Sequence, residues 1–169
     1  NIKNALFAIK IAERFNLKKE SIVKGIENYK NFSRRLERID IENSITLIDD
    51  TYNASIDSMK SGLGTINEIK IKRKIAVLGD MLELGDMSKK LHTEVGEYLN
   101  DLDYDKIFLF GEEVKYIKEA IIKKENVLIF KDIEELIKEL KVELKPNDIV
   151  YLKASNSMRF DGIINSFKK

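Results

Sequence analysis

Residues 47–59 read Leu47-Ile48-Asp49-Asp50-Thr51-Tyr52-Asn53-Ala54-Ser55-Ile56-Asp57-Ser58-Met59. An apolar, β-prone run that begins at Ile45 breaks off at two aspartates. Asn53, Ser55, Asp57 and Ser58 then supply helix-capping side chains before Met59 opens an apolar helical period. The stretch reads as a strand ending in a polar loop that leads into a helix, and the chain downstream repeats that layout. Helices are expected over about 57–69, 88–100, 112–124, 132–141 and 157–167, alternating with strands at Lys74–Gly79, Lys106–Gly111, Val127–Phe130 and Asp148–Lys153. Helices trading places with short, nearly all-apolar strands predict a parallel sheet covered on both faces by right-handed crossovers, an open doubly wound α/β fold.

Upstream the pattern differs. Ile2, Ala5, Leu6, Ile9 and Ala12 recur at helical spacing, as do Ile22, Val23 and Ile26, so a helical pair joined near 16–19 is expected. Residues 30–36 have no period and concentrate positive charge, which reads as a linker. Arg38–Asp40 and Ile45–Asp49 flank a Glu42-Asn43-Ser44 turn, predicting a hairpin whose first arm is an antiparallel edge strand. The division expected is 1–32 and 33–169.

The 169 residues, 43% of them hydrophobic, suffice for one sizeable domain with a small appendage. Thirty basic and twenty-nine acidic residues leave a net charge of +1, so no global field draws in nucleic acid or an anionic membrane, and charged ligands must be bound locally. There is no cysteine, hence no disulfide framework and no thiolate metal site, as suits a reducing compartment. No apolar run approaches the roughly 18 residues of a membrane helix, and Lys3, Lys10, Glu13 and Arg14 interrupt the first fifteen positions unlike a signal peptide. A soluble, cytoplasmic monomer is expected, and a start at Asn1 rather than Met implies a processed or excised piece.

In open α/β sheets ligands bind beyond the carboxyl ends of the strands. That rule selects the loops 49–58, 79–87, 111–113 and 153–158. The first is rich in carboxylate, amide and hydroxyl groups, and the last offers Lys153, Ser155, Asn156 and Ser157 at a helix start. A ligand carrying an amine and a carboxylate would suit them, the ammonium meeting an aspartate and the carboxylate meeting Lys153 or the N–H groups of the last helix. Each residue also has a plainer reading. Asp49, Asp57 and Ser58 could simply end a strand and cap a helix, and Lys153 could be a surface charge. Asp80, Glu83 and Asp86 fit solvated surface better than a cation loop, with Met81, Leu82 and Leu84 anchoring it. His92, the only histidine, reads as solvent-facing or capping. No Gly-x-x-x-x-Gly-Lys-Ser/Thr loop exists, and Gly62-Leu63-Gly64 lies within a helix, so neither a phosphate loop nor a dinucleotide fingerprint is supported.

Asp49 to Ser55 with Asp57-Ser58-Met59, then Leu78-Gly79-Asp80-Met81-Leu82-Glu83-Leu84-Gly85 with His92 and Gly96, then Lys153 to Met158, resemble the Mur ligases of peptidoglycan synthesis. The resemblance is strongest to the branch that joins D-alanyl-D-alanine to UDP-N-acetylmuramoyl-tripeptide. It implies a Rossmann-like C-terminal domain over 33–169, preceded in 1–32 by a helical tail of the central ATPase domain and the linker. It further implies ATP and Mg2+ as cofactors, held mainly by the central domain. Asn1 and Asn4 are then candidate ATP contacts, Arg35 is the hinge arginine beside the ATP phosphates, and Asp50 approaches the nucleotide. Arg35 and Asp50 form the expected catalytic pair. Tyr52, Asn53, Ser55 and Asp57 match the loop that receives the dipeptide, with Ser58, Lys153 and Ser155 beside them; no metal ligand is expected. Ile56 stands where the family usually has proline, and Lys153-Ala154-Ser155-Asn156-Ser157-Met158 stands for the usual Lys-Gly-Ser-Arg-Gly-Met. Two other readings remain open at this point, a non-catalytic α/β binding module and a receiver-type domain.

Overall fold

The computed structural model describes residues 2–29, 33–70 and 73–168; the expectation placed on Asn1 lies outside them, as does the linker reading for 30–32. The chain divides into two compact units, Asn1–Phe32 and Ser33–Lys169.

In the first unit α1 (Ile2–Arg14) and α2 (Lys19–Glu27) are consecutive helices in contact with each other. Helix α1 stops because Asn16 enters the left-handed region at φ 54°. Asn16 N–H donates to Glu13 O at 2.9 Å and Leu17 N–H to Ala12 O at 3.1 Å, the paired bonds of a Schellman end. Both helices are amphipathic, yet no residue of either is buried.

The second unit is built on a sheet of β1 (Glu37–Asp40), β2 (Thr46–Asp49), β3 (Lys74–Gly79), β4 (Lys106–Phe110), β5 (Val127–Phe130) and β6 (Ile149–Lys153). Its order is β1-β2-β6-β3-β4-β5, with β1 antiparallel to β2 and every other pairing parallel. The hairpin turn is made by Asn43 and Ser44, both left-handed at φ 60° and 58°. Successive residues of each central strand face opposite ways, giving two cores. Ala76, Leu78, Ile107, Leu109 and Tyr151 pack under α3 (Ile56–Asn67), α4 (Ser88–Leu99) and α5 (Lys115–Ala120). Ile75, Val77, Phe108, Val150 and Leu152 pack under α6 (Ile133–Glu143) and α7 (Asp161–Asn165). The sheet is therefore covered on both faces, a mixed but mostly parallel Rossmann-like fold.

Two helices are shorter than their apolar period suggests. Before α5, the N–H groups of Glu112, Glu113 and Val114 all donate to the Asp80 carboxylate, so the chain there wraps an anion before it coils. Before α7, a single 3-10 turn at Asn156–Met158 is broken by Arg159, left-handed at φ 55°. Gly62 on α3 faces the Tyr151 hydroxyl so closely that a Cβ there would overlap it, so the glycine leaves room for the tyrosine beneath the helix.

Candidate functional site

The carboxyl ends of β2, β6 and β3 lie side by side, and the loops leaving them carry the residues singled out by the sequence. They form two layers. In the inner layer Lys153, 2% exposed, is buried rather than a surface charge. Its ammonium donates to Asp50 Oδ2 at 2.6 Å, to Asn53 O at 3.0 Å and to Asp50 O at 3.3 Å. Tyr151, two residues earlier on the same face of β6, donates its hydroxyl to Asp50 Oδ2 at 2.9 Å. Burial first, and the Asp50 charge second, push that hydroxyl well above its ordinary range, which keeps it a donor. The other Asp50 oxygen accepts Leu36 N–H at 3.3 Å, tying the start of the unit to the site.

The capping residues work locally. Asp49 Oδ1 accepts both the Thr51 N–H at 3.1 Å and the Thr51 hydroxyl at 2.7 Å, turning the chain out of β2. Ser55 caps α3, and Ser55 and Ser58 complete a reciprocal capping box. Ser155 is buried; its hydroxyl accepts Leu82 N–H at 2.8 Å and its own N–H donates to Asp80 O at 3.1 Å. Asp80 is buried too, rather than solvated, because its carboxylate is the anchor for three backbone N–H groups. His92 is likewise wholly buried rather than solvent-facing. The Ser88 carbonyl 2.8 Å from Nδ1 requires a proton there, and Nε2 accepts Met81 N–H at 3.0 Å. Met81 and Leu84 pack into the core, whereas Leu82 stays exposed. The inner layer is thus a set of satisfied polar contacts that fixes four loops against one another.

The outer layer consists of exposed side chains on that frame. Arg35, Tyr52, Asn53, Ser55 and Asp57 all face solvent, and the Arg35 guanidinium lies 4.3 Å from the Tyr52 ring centroid. Asn4 is exposed on α1. Among the described residues no group of three or more His, Cys, Asp or Glu is arranged to hold a metal ion, and no helix is long and apolar enough to cross a membrane.

The turn that enters β1 is held by Glu37, whose carboxylate accepts Arg34 N–H and the Ser33 hydroxyl, each at 2.9 Å. The backbone bond first and the hydroxyl second hold its pKa below the usual carboxylate range. A lowered acid stabilises the fold fully above that range and ceases to do so as pH falls through its depressed value. Amide exchange at Arg34, corrected for its intrinsic pH dependence, is therefore expected to quicken only on acidification below the ordinary carboxylate range. A rate that stays constant there would show that Glu37 does not hold the turn.

Sequence reasoning missed Tyr151 and Arg34. Tyr151 could have been found, since a lone hydroxyl in the apolar run Ile149-Val150-Tyr151-Leu152 shares a strand face with Lys153. Arg34, whose side chain reaches Thr51 and Asn156, carried no comparable signal.

Residues 34–156 match the family described as Mur ligase, glutamate ligase domain. The chain belongs to the Mur ligase family. Its relatives include the UDP-N-acetylmuramoyl-tripeptide–D-alanyl-D-alanine ligase of Bacillus subtilis, 32% identical over 168 residues, which are 97% of this chain and 37% of that enzyme. The enzyme of the same name from Haemophilus influenzae is 32% identical over 170 residues, 99% of this chain and 37% of its own. A crystal structure of MurF from Acinetobacter baumannii is similar at a TM-score of 0.86 and 27% identity, covering 99% of this chain and 37% of that one. This Mur ligase chain thus spans little more than a third of the length of the curated relatives it matches. Its mixed sheet, with the antiparallel β1–β2 edge and the helical pair before it, is the fold those comparisons share.

Proposed function

We propose that this chain is the C-terminal, acceptor-delivering part of a cytoplasmic ATP-dependent ligase that adds D-alanyl-D-alanine to UDP-N-acetylmuramoyl-tripeptide. The observation that carries the proposal is the similarity, over nearly the whole chain, to enzymes of that name. The layered site supports it. The chemistry requires a tripeptide carboxylate to be activated by phosphorylation and then attacked by the free amine of the dipeptide, with phosphate leaving. Water would destroy the activated acid, so the amine is best delivered by a body that excludes solvent as it arrives.

In this reading Arg35 presents positive charge to the phosphates. Tyr52, Asn53, Ser55 and Asp57 offer the exposed groups that meet the dipeptide, Asp57 suiting its ammonium. Asp50, Ser58, Lys153 and Ser155 serve the same site by holding the loop that presents them. ATP and Mg2+ are held mainly by the central domain in this reading, in keeping with the lack of a three-residue cluster of His, Cys, Asp or Glu among the described residues. Residues 1–32 are the tail of the ATP-binding domain, with Asn1 and Asn4 toward the nucleotide. The support lies in exposed apolar side chains, Leu6, Phe7 and Ile11 on α1 and Phe15 just after it, which suit packing on further protein.

The test is phosphate release coupled to formation of UDP-N-acetylmuramoyl-pentapeptide by the protein that contains this chain, with the 169-residue chain as control. Turnover is expected from the former, dependent on both tripeptide and dipeptide, and none from the latter. Turnover by the chain alone, or a longer protein lacking an upstream Gly-x-x-x-x-Gly-Lys-Ser/Thr and any turnover, overturns the reading in favour of a binding module.

A further inference from the structure

We infer that Arg34 is a positioning residue, a fork that joins the turn at 33–37, the β2–α3 loop and the β6–α7 loop into one body. Arg34 sits in the left-handed region at φ 64°, and its carbonyl accepts Tyr52 N–H at 3.0 Å. From that turn Nε donates to Thr51 Oγ1 at 3.0 Å and Nη2 to Thr51 O at 2.6 Å. Nη1 donates to Asn156 Oδ1 at 2.8 Å, on a loop 122 residues further along the chain. Three nitrogens of one planar group therefore join the two loops a second time, beyond the bonds that Lys153 makes to Asp50 and Asn53 at the strand ends.

The acceptors are a hydroxyl, a carbonyl and an amide, all uncharged, so what Arg34 contributes is geometry rather than charge pairing. A rigid guanidinium fixes the distance between its partners; an ammonium on a flexible stem does not. Thr51 is buried and already tied to Asp49, so it is the fixed side of the clamp, and exposed Asn156 is the side being held. Tyr52 follows Thr51 directly and Asn156 follows Ser155, so the clamp sets the separation of the two loops that flank the exposed acceptor-facing groups. The kinetic part of this proposal rests on the ligase reading.

Two variants separate the fork from folding and from charge. Arg34→Gly removes the guanidinium while suiting the left-handed backbone, and Arg34→Lys keeps only the charge. In the 169-residue chain, amide exchange at Tyr52 and across 155–160 is expected to quicken together by about tenfold in both variants. Asn156→Ala should loosen only 155–160 and add nothing there when combined with Arg34→Gly. In the ligase that contains this chain, both Arg34 variants should raise KM for D-alanyl-D-alanine by about fivefold or more while KM for ATP moves by less than about twofold. Unchanged exchange at the two loops, or wild-type exchange and KM in the lysine variant, overturns the proposal. A longer protein that ligates no acceptor overturns the ligase reading instead, and the exchange result then decides the fork by itself.

Discussion

Lys153→Met is expected to destabilise the second unit by about 3–5 kcal/mol, the cost of breaking a buried ion pair by removing one partner. The side chains of Lys153 and Asp50 are 3% and 14% exposed, so solvent screens their 2.6 Å contact little. Methionine fills much of the lysine's volume but leaves the Asp50 carboxylate with the Tyr151 hydroxyl and the Leu36 N–H as its remaining described donors. It also strips a donor from the carbonyls of Asp50 and Asn53. The companion Lys153→Met/Asp50→Asn removes both charges and should recover a large part of the loss, because an uncharged amide tolerates that setting better than an orphaned carboxylate. Urea unfolding of the three proteins checks this, with the midpoint falling and the slope unchanged. A loss below about 1 kcal/mol would show that water reaches the pair as it does at exposed sites.

The second large effect is kinetic. On the proposed ligase reading, Arg35→Ala in the protein that contains this chain is expected to lower kcat about 10²–10³-fold, the range seen when one donor to developing transition-state charge is removed. Stability should move little, since Arg35 is exposed and its described contact is the stack on Tyr52, worth about 0.5–1 kcal/mol. Tyr52→Phe keeps a ring under the guanidinium and should retain most of the rate. Steady-state kinetics on the two variants gives the answer; a kcat for Arg35→Ala within about threefold of the parent would remove Arg35 from the chemistry.

Local chemistry carried most of the fold into the sequence. Strands β3 and β5 were legible to the residue because they are apolar runs bounded by glycine, lysine or polar turns, and the β1–β2 hairpin because Glu42-Asn43-Ser44 tolerates left-handed backbone. The late start of α5 was not legible, since it depends on Asp80, more than thirty residues earlier, collecting the N–H groups of 112–114. Strand order was equally hidden: alternation of helices and strands is the same whether β6 lies at an edge or between β2 and β3. That hidden order is what buries Lys153, whose charge at a strand end suggested solvent or ligand. The loop 49–58 was recognisable as a site by its residue types. Its division into an inner frame and an outer face was not, because periodicity does not tell which polar groups satisfy one another.

The position of β6 has a consequence for how the protein is made. Within the described sheet it is the last strand to be synthesised, yet it is the one that joins β1–β2 to β3–β4–β5. Until residues 149–153 have left the ribosome, the hairpin and the three-stranded sheet each keep an open edge where β6 will insert, exposed to pairing with other chains. The same insertion brings Tyr151 and Lys153 to Asp50. A nascent chain stopped short of Lys153 therefore has neither a closed sheet nor an ordered site. Completion of the sheet and ordering of the contacts around Asp50 become one event, the emergence of β6.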